Sequence, residues 1–112
     1  MKIAISAQQP NLDAPVDPRF GRAAYFLIVE TDDDSFEAID NATNVDASGG
    51  AGTRSAERVA QAGARWVLSG DVGPKAQAAL AAGGIQTATG VTGTCRQALA
   101  DFKANRAGSS AQ

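Results

Sequence analysis

The chain has 112 residues, 44% hydrophobic and 20% charged, with a net charge of −2 and a sequence pI near 4.9. That length fits one domain with one core, and the acidic balance argues against nucleic acid or an anionic membrane as the main partner. Histidine is absent and Cys95 is the single cysteine, which excludes Ser-His-Asp and Cys-His catalysis, imidazole metal sites and an internal disulfide.

The opening MKIAIS alternates around Ile3 and Ile5 and predicts a first strand over Lys2–Ser6. It lacks a signal peptide's long apolar core and cleavage site, and no apolar run reaches membrane-spanning length, so the expected compartment is the cytoplasm. Ala7–Pro18 is polar and proline-bearing, hence an irregular loop. The stretch VDPRFGRAAYFLIVE follows. Its second half is an uninterrupted apolar run that reads as a strand, Ala23–Glu30, buried on both faces. Its first half is a turn stiffened by Pro18 and bent at Gly21, with Arg19 and Arg22 bracketing Phe20. Those residues admit two readings: an anion site at the mouth of a rigid strand, or solvated arginines beside a core-plugging Phe20. TDDDS then predicts a turn and Phe36–Asp40 a third strand, completing a hairpin. Asp32, Asp33 and Asp34 are consecutive and read as a solvated turn rather than a cation site.

After Asn41 the pattern becomes three units of glycine-bearing loop and helix: Ser48–Ala64, Ser69–Gly83 and Thr89–Ala104. Short apolar strands, Arg65–Ser69 and Ile85–Thr89, precede the second and third, which predicts a parallel portion of sheet with crossover helices. Each helix carries one narrow apolar stripe: Ala56, Val59, Ala60 and Gly63; Ala76, Ala79, Leu80 and Gly83; Cys95, Ala98, Leu99 and Phe102. Thr53 is a candidate cap for the first helix and Pro74 a first helical residue for the second, while Gly63 and Gly83 suit left-handed stops. Cys95 lies on its stripe as a buried small residue; its place near a helix N-terminus leaves a thiolate role open. The tail 105–112 is small and polar and is expected to be flexible.

In an open sheet, ligands gather at the carboxyl ends of parallel strands. All three glycine loops are expected there, each delivering a helix N-terminus with unpaired amides. Gly49, Gly50 and Gly52 would let amides approach a ligand, and Arg54, Lys75 and Arg96 sit in first helical turns, where a cation opposes the helix dipole. Together with Arg19 and Arg22 they describe a field for an anion; the competing reading sends all five side chains into water. GGAGT lacks the lysine and spacing of a P-loop, and GxGxxG is absent. Asp13, Asp17 and Asp71 form no recognisable acid–base set.

Four segments, MKIAIS, VDPRFGRAAYFLIVE, GGAGT and SGDVGPKAQAALAAGGI, together resemble the dinitrogenase iron–molybdenum cofactor biosynthesis domain family, from Met1 to about Phe102. The resemblance implies a single domain over residues 1–104. It also implies an α/β, ribonuclease H-like fold, a mixed five-stranded sheet with three helices on both faces. The implied role is binding or carrying a metal–sulfur cluster without catalysis. Cofactor-carrying members have histidine before Phe-Gly, where this chain has Arg19, and many carry histidine ahead of the glycine loop, where Ala47 and Ser48 stand. The chain therefore resembles most the family's orange-protein branch, in which a molybdenum–copper sulfide cluster is held without covalent attachment. On that reading Arg19, Arg22 and Arg54 supply charge, and the amides of Gly49, Gly50 and Gly52 supply hydrogen bonds. Gly21, Thr53 and Gly73 complete the expected cofactor-binding set, and Phe20 and Val72 give it an apolar wall. No protein atom bonds to metal. The rivals are an iron–molybdenum cofactor or iron–sulfur carrier using Cys95, and a divalent-ion hydrolase using Asp13 or Asp17. A regulatory module docking on a nucleotide-dependent cluster-assembly ATPase is a third. The chain itself is expected to be a monomer or weak dimer.

Overall fold

The computed structural model describes residues 1–41 and 50–110, with side chains through Asn105. Its elements, among the described residues, are β1 (Lys2–Ala7), β2 (Tyr25–Glu30), β3 (Phe36–Asp40), α1 (Ala51–Gln61), β4 (Trp66–Leu68), α2 (Pro74–Ala82), β5 (Gln86–Ala88) and α3 (Cys95–Ser110). The sheet order is β3-β2-β1-β4-β5. β1–β2 and β2–β3 pair antiparallel, β1–β4 and β4–β5 parallel. Only β2 runs against the rest, so this is the mixed sheet expected.

Alternation in the strands assigns two cores. Ala4, Phe26, Ile28 and Val67 point to the face covered by α1 and α2, where they meet Ala56, Val59, Ala76 and Leu80. Ile3, Ile5, Leu27, Val29 and Leu68 point to the other face, under α3, against Cys95, Ala98, Leu99 and Phe102. Phe26 to Val29 are all buried, because a strand with a helix layer on each side has no wet face. The stripe of α3 is as expected. That of α1 is narrower, since Ala60 and Gly63 are exposed.

Several boundaries differ from expectation for identifiable reasons. β2 begins at Tyr25 rather than Ala23. The carbonyls of Ala23 and Ala24 instead receive the side-chain and backbone N–H of Asn41, each at 2.9 Å. Pro74 opens α2 as predicted. Thr53 caps nothing: the cap of α1 is Gly50, with φ 72°, and Thr53 lies inside the helix. α1 closes with Gly63 at φ 88°, its N–H on Ala60 O and that of Ala64 on Val59 O. α2 closes in the same way one residue later than predicted, with Gly84 at φ 74° and Gly83 at φ −85°. There Gly84 N–H bonds Ala81 O and Ile85 N–H bonds Leu80 O. Both are the paired closure that needs a left-handed residue just past the helix, a conformation glycine adopts without strain. The helical backbone of α3 continues to Ser110, past Ala104.

Candidate functional site

Because β1, β3, β4 and β5 point the same way, their carboxyl ends share one edge with the entry to β2. The turn Pro18–Arg22 lies on that edge and is fastened from both sides. Phe20 N–H donates to Asp71 O at 3.0 Å, and Arg19 and Asp71 form a parallel bridge. Upstream, Asp17 N–H donates to Ser6 O at 2.8 Å, while Ser6 Oγ donates to Asp17 O at 2.8 Å and stands 2.9 Å from Ser69 Oγ. Ser6 and Ser69 are completely buried, so these hydroxyls satisfy one another where water cannot.

Asp17 organises the arginine. Its carboxylate, 6% exposed, accepts the Arg19 amide at 3.0 Å, and Oδ1 lies 3.8 Å from Arg19 Nε. On the far side, buried Ser55 of α1 places Oγ 3.5 Å from Gly21 O and 3.4 Å from Asn41 Oδ1. Glycines make these approaches feasible. A Cβ on Gly21 would stand 3.0 Å from both Cα and N of Gly52. One on Gly52 would stand 3.1 Å from Ala76 Cβ, and one on Gly70 only 2.7 Å from Pro18 Cα. The turn before β2, the start of α1 and α2, and the loop after β4 therefore meet as bare backbone.

The predicted site residues divide accordingly. Gly21, Gly52 and the backbones of Arg19 and Phe20 are brought together, with Asp71, Val72 and Gly73 alongside. The missing side chain of Gly52 makes room for Gly21 and Ala76. Gly50 is exposed at the helix start, and Gly73 is the exposed first cap of α2. Gly49, with Ala47 and Ser48, falls outside the described residues. Phe20 and Val72 are not an outer wall. Phe20 is 1% exposed and its ring packs 5.0 Å from that of Phe26, and Val72 is 6% exposed in the same core. An aromatic side chain beside a gap between two helices and a sheet is drawn inward by the area it can remove from water.

Of the five cations, Arg96 is spoken for: its Nε lies 2.9 Å from Asp13 Oδ1. Arg22, Arg54 and Lys75 are exposed and have no ion pair among the described residues. Arg19, 64% exposed, has only the long contact to Asp17. The first-turn amides of α1 ahead of Arg54, whose N–H closes on Gly50 O at 3.0 Å, have no intrahelical acceptor. The edge can thus offer guanidinium groups and helix-start amides to a negative ligand. Asp17 and Asp71 offset part of that charge. It is an open rim: cavities of about 610 and 330 Å³ lie elsewhere among the described residues, and of the five cations only Arg96 lines one of them, the smaller.

Among the described residues no three His, Cys, Asp or Glu side chains gather closely enough to hold an ion. Cys95 is fully buried on the inner face of α3, and burial pushes its thiol up to about 11, so it is neither reachable nor ionised near neutral pH. Asp13 pairs with Arg96, and Asp17 accepts the Arg19 amide. No helix is long and apolar enough to cross a membrane.

Sequence reasoning missed the contributions of Asp17, Asn41, Ser55 and the Ser6–Ser69 pair. Their signal was present: small polar residues at the ends of apolar strands, where backbone groups leave the sheet and need partners.

The fold is three-layer α/β, its sheet edge carries exposed cations beside close glycine contacts, and among the described residues no cluster of metal-ligating side chains forms. The chain belongs to the dinitrogenase iron–molybdenum cofactor family, whose model matches residues 1–105. Its structure is similar to the apo form of the orange protein from Desulfovibrio gigas, at 44% identity over 93% of this chain and 88% of that one, with a TM-score of 0.90. It is also similar to a NifB-like protein from Thermotoga solved by NMR, at 27% identity over 94% and 89% of the two chains, with a TM-score of 0.81. No curated protein matches the sequence.

Proposed function

We propose that this chain is a non-catalytic carrier for an anionic metal–sulfide cluster, most specifically a molybdenum–copper sulfide cluster held without a covalent bond. Family membership and the similarity to the orange protein support cluster binding. The observation that carries the reading is the donor set. The rim offers exposed Arg22 and Arg54, without an ion pair among the described residues, beside the Gly21–Gly52 contact, and the described residues gather no cluster of metal ligands. Such donors suit a cargo that brings its own sulfides, because charge-assisted N–H bonds to an anion need no protein atom on the metal. Thr53, Arg54 and the amides of Gly50 and Gly52 would face the cargo from α1, and Gly49, outside the described residues, belongs to the same proposed set. Arg19, Arg22 and Gly73 would bound it on the sheet side.

The ribonuclease H-like description of the fold belongs to the same proposal and is supported by three antiparallel strands followed by two parallel ones. So do a cytoplasmic location, a single domain over residues 1–104 with a flexible tail, and a monomer or weak dimer serving a cluster-assembly ATPase. The test is reconstitution with tetrathiomolybdate and copper. The protein should retain both metals through desalting and show intense visible charge-transfer bands, and Arg22→Ala and Arg54→Ala should each weaken retention by about 1.5–3 kcal/mol. A colourless, metal-free protein refutes the reading.

A further inference from the structure

The cavity of about 610 Å³ lies on the opposite side of the sheet from α1 and α2, between α3 and the edge strand β5. Its origin is geometric. A five-stranded sheet is about 20 Å wide, and a helix with its side chains is about 10 Å across. Two helices cover one face; α3 alone cannot cover the other. It lies over β1 and reaches β4 through Phe102, whose ring meets that of Trp66 edge-on at 5.3 Å. The groove beyond is floored by Trp66 and Leu68 and walled by Val91 and Phe102, with Asp101 and Asn105 on its rim. Trp66 is left partly exposed on an interior strand.

Size and chemistry indicate an occupant. The volume is that of a small-molecule site, and the lining combines apolar Trp66, Leu68, Val91 and Phe102 with polar Thr92, Asp101 and Asn105. Among the described residues no lysine or arginine lines it, and the one charged residue is Asp101. The Asp101 carboxylate is exposed and takes a single side-chain hydrogen bond, from Gln97 Nε2 at 2.9 Å. Aromatic faces attract cations as well. We propose that this groove is a second binding site, independent of the anion rim, for a small organic cation: an apolar or aromatic body seated on Trp66 and Phe102, with its ammonium group at Asp101. The two sites have opposite charge preference, so the anionic cargo does not enter the groove.

Trp66 is the only tryptophan in the chain, which makes its fluorescence a direct reporter. The full-length protein is titrated with 4-phenylbutylammonium and, as matched anion, 4-phenylbutyrate. The expected result is a saturable change in Trp66 emission with the ammonium and at least tenfold weaker binding of the carboxylate. Asp101→Asn, an exposed change on a helix surface, should abolish that preference while leaving the emission of the free protein intact. Ala88→Phe, which fills the groove from β5, should abolish binding of both, with circular dichroism confirming the fold. Lack of saturation, or equal affinity for cation and anion in the wild-type chain, overturns the proposal. Neither outcome bears on the metal-reconstitution test of the rim.

Discussion

Gly21 and Gly52 meet backbone to backbone: a methyl group on Gly21 would stand 3.0 Å from both Cα and N of Gly52. This contact joins the turn ahead of β2 to the first turn of α1, and so holds the backbones of Arg22 and Arg54 together. Gly21→Ala should force the two segments apart, at a cost of about 1–3 kcal/mol, as for other overpacked sites. Thermal unfolding would show a lowered midpoint, and the folded fraction should retain less cluster than wild type.

Phe20 provides the converse test. Its burial against Phe26 makes it a stability residue. Phe20→Ala should cost about 3–5 kcal/mol in denaturant unfolding, whereas Phe20→Leu should largely restore stability. A Phe20→Leu variant that is stable yet unable to hold cargo would return this side chain to the site.

Cys95 should be inert. With its thiol buried and pushed up to about 11, iodoacetamide at pH 8 should label it only after denaturant is added. Cys95→Ala should keep reconstituted metal. Loss of metal in a folded Cys95→Ala protein would favour a carrier that uses the thiolate.

The amino terminus gives a pH signature. Met1 N lies 2.6 Å from Glu30 Oε2. Their hydrogen bond raises the amine above its ordinary 8.0 and lowers Glu30 below its ordinary 4.5. The carboxylate's contribution is present above about 4.5 and lost as pH falls through the lowered value. The amine's is present below about 8 and lost as pH rises through the raised value. Stability attributable to the pair should therefore be greatest between those limits. Glu30→Gln should flatten both limbs in a pH series of unfolding midpoints. Both groups face solvent, so the effect is small and should shrink in salt.

What could be read from the sequence was whatever a local pattern encodes. The buried run of β2, Pro74 at a helix start and the Cys95–Phe102 stripe each depend on neighbours within a turn or two. What could not be read depends on distant chain. Thr53 looked like a cap because only the fold shows that Gly50 turns left-handed first. Phe20 looked like a ligand wall because its partner Phe26 lies across a turn whose direction the sequence does not specify. Gly52 looked like a glycine that opens its amide to a ligand, because its crowding by Gly21 and Ala76 comes from two other segments. Arg96 looked available until α3 met the loop carrying Asp13. At the candidate site, then, residue types were legible and contacts were not.

The central claim is where the anion sits, and amide chemical-shift mapping by NMR tests it most directly. Adding the molybdenum–copper sulfide cluster to isotopically labelled protein should perturb Arg19–Arg22, Gly50–Arg54 and Asp71–Gly73 together, leaving Cys95 and the Trp66–Phe102 groove unmoved. Shifts centred on Cys95 or on that groove, with the Gly21–Gly52 contact silent, would contradict it.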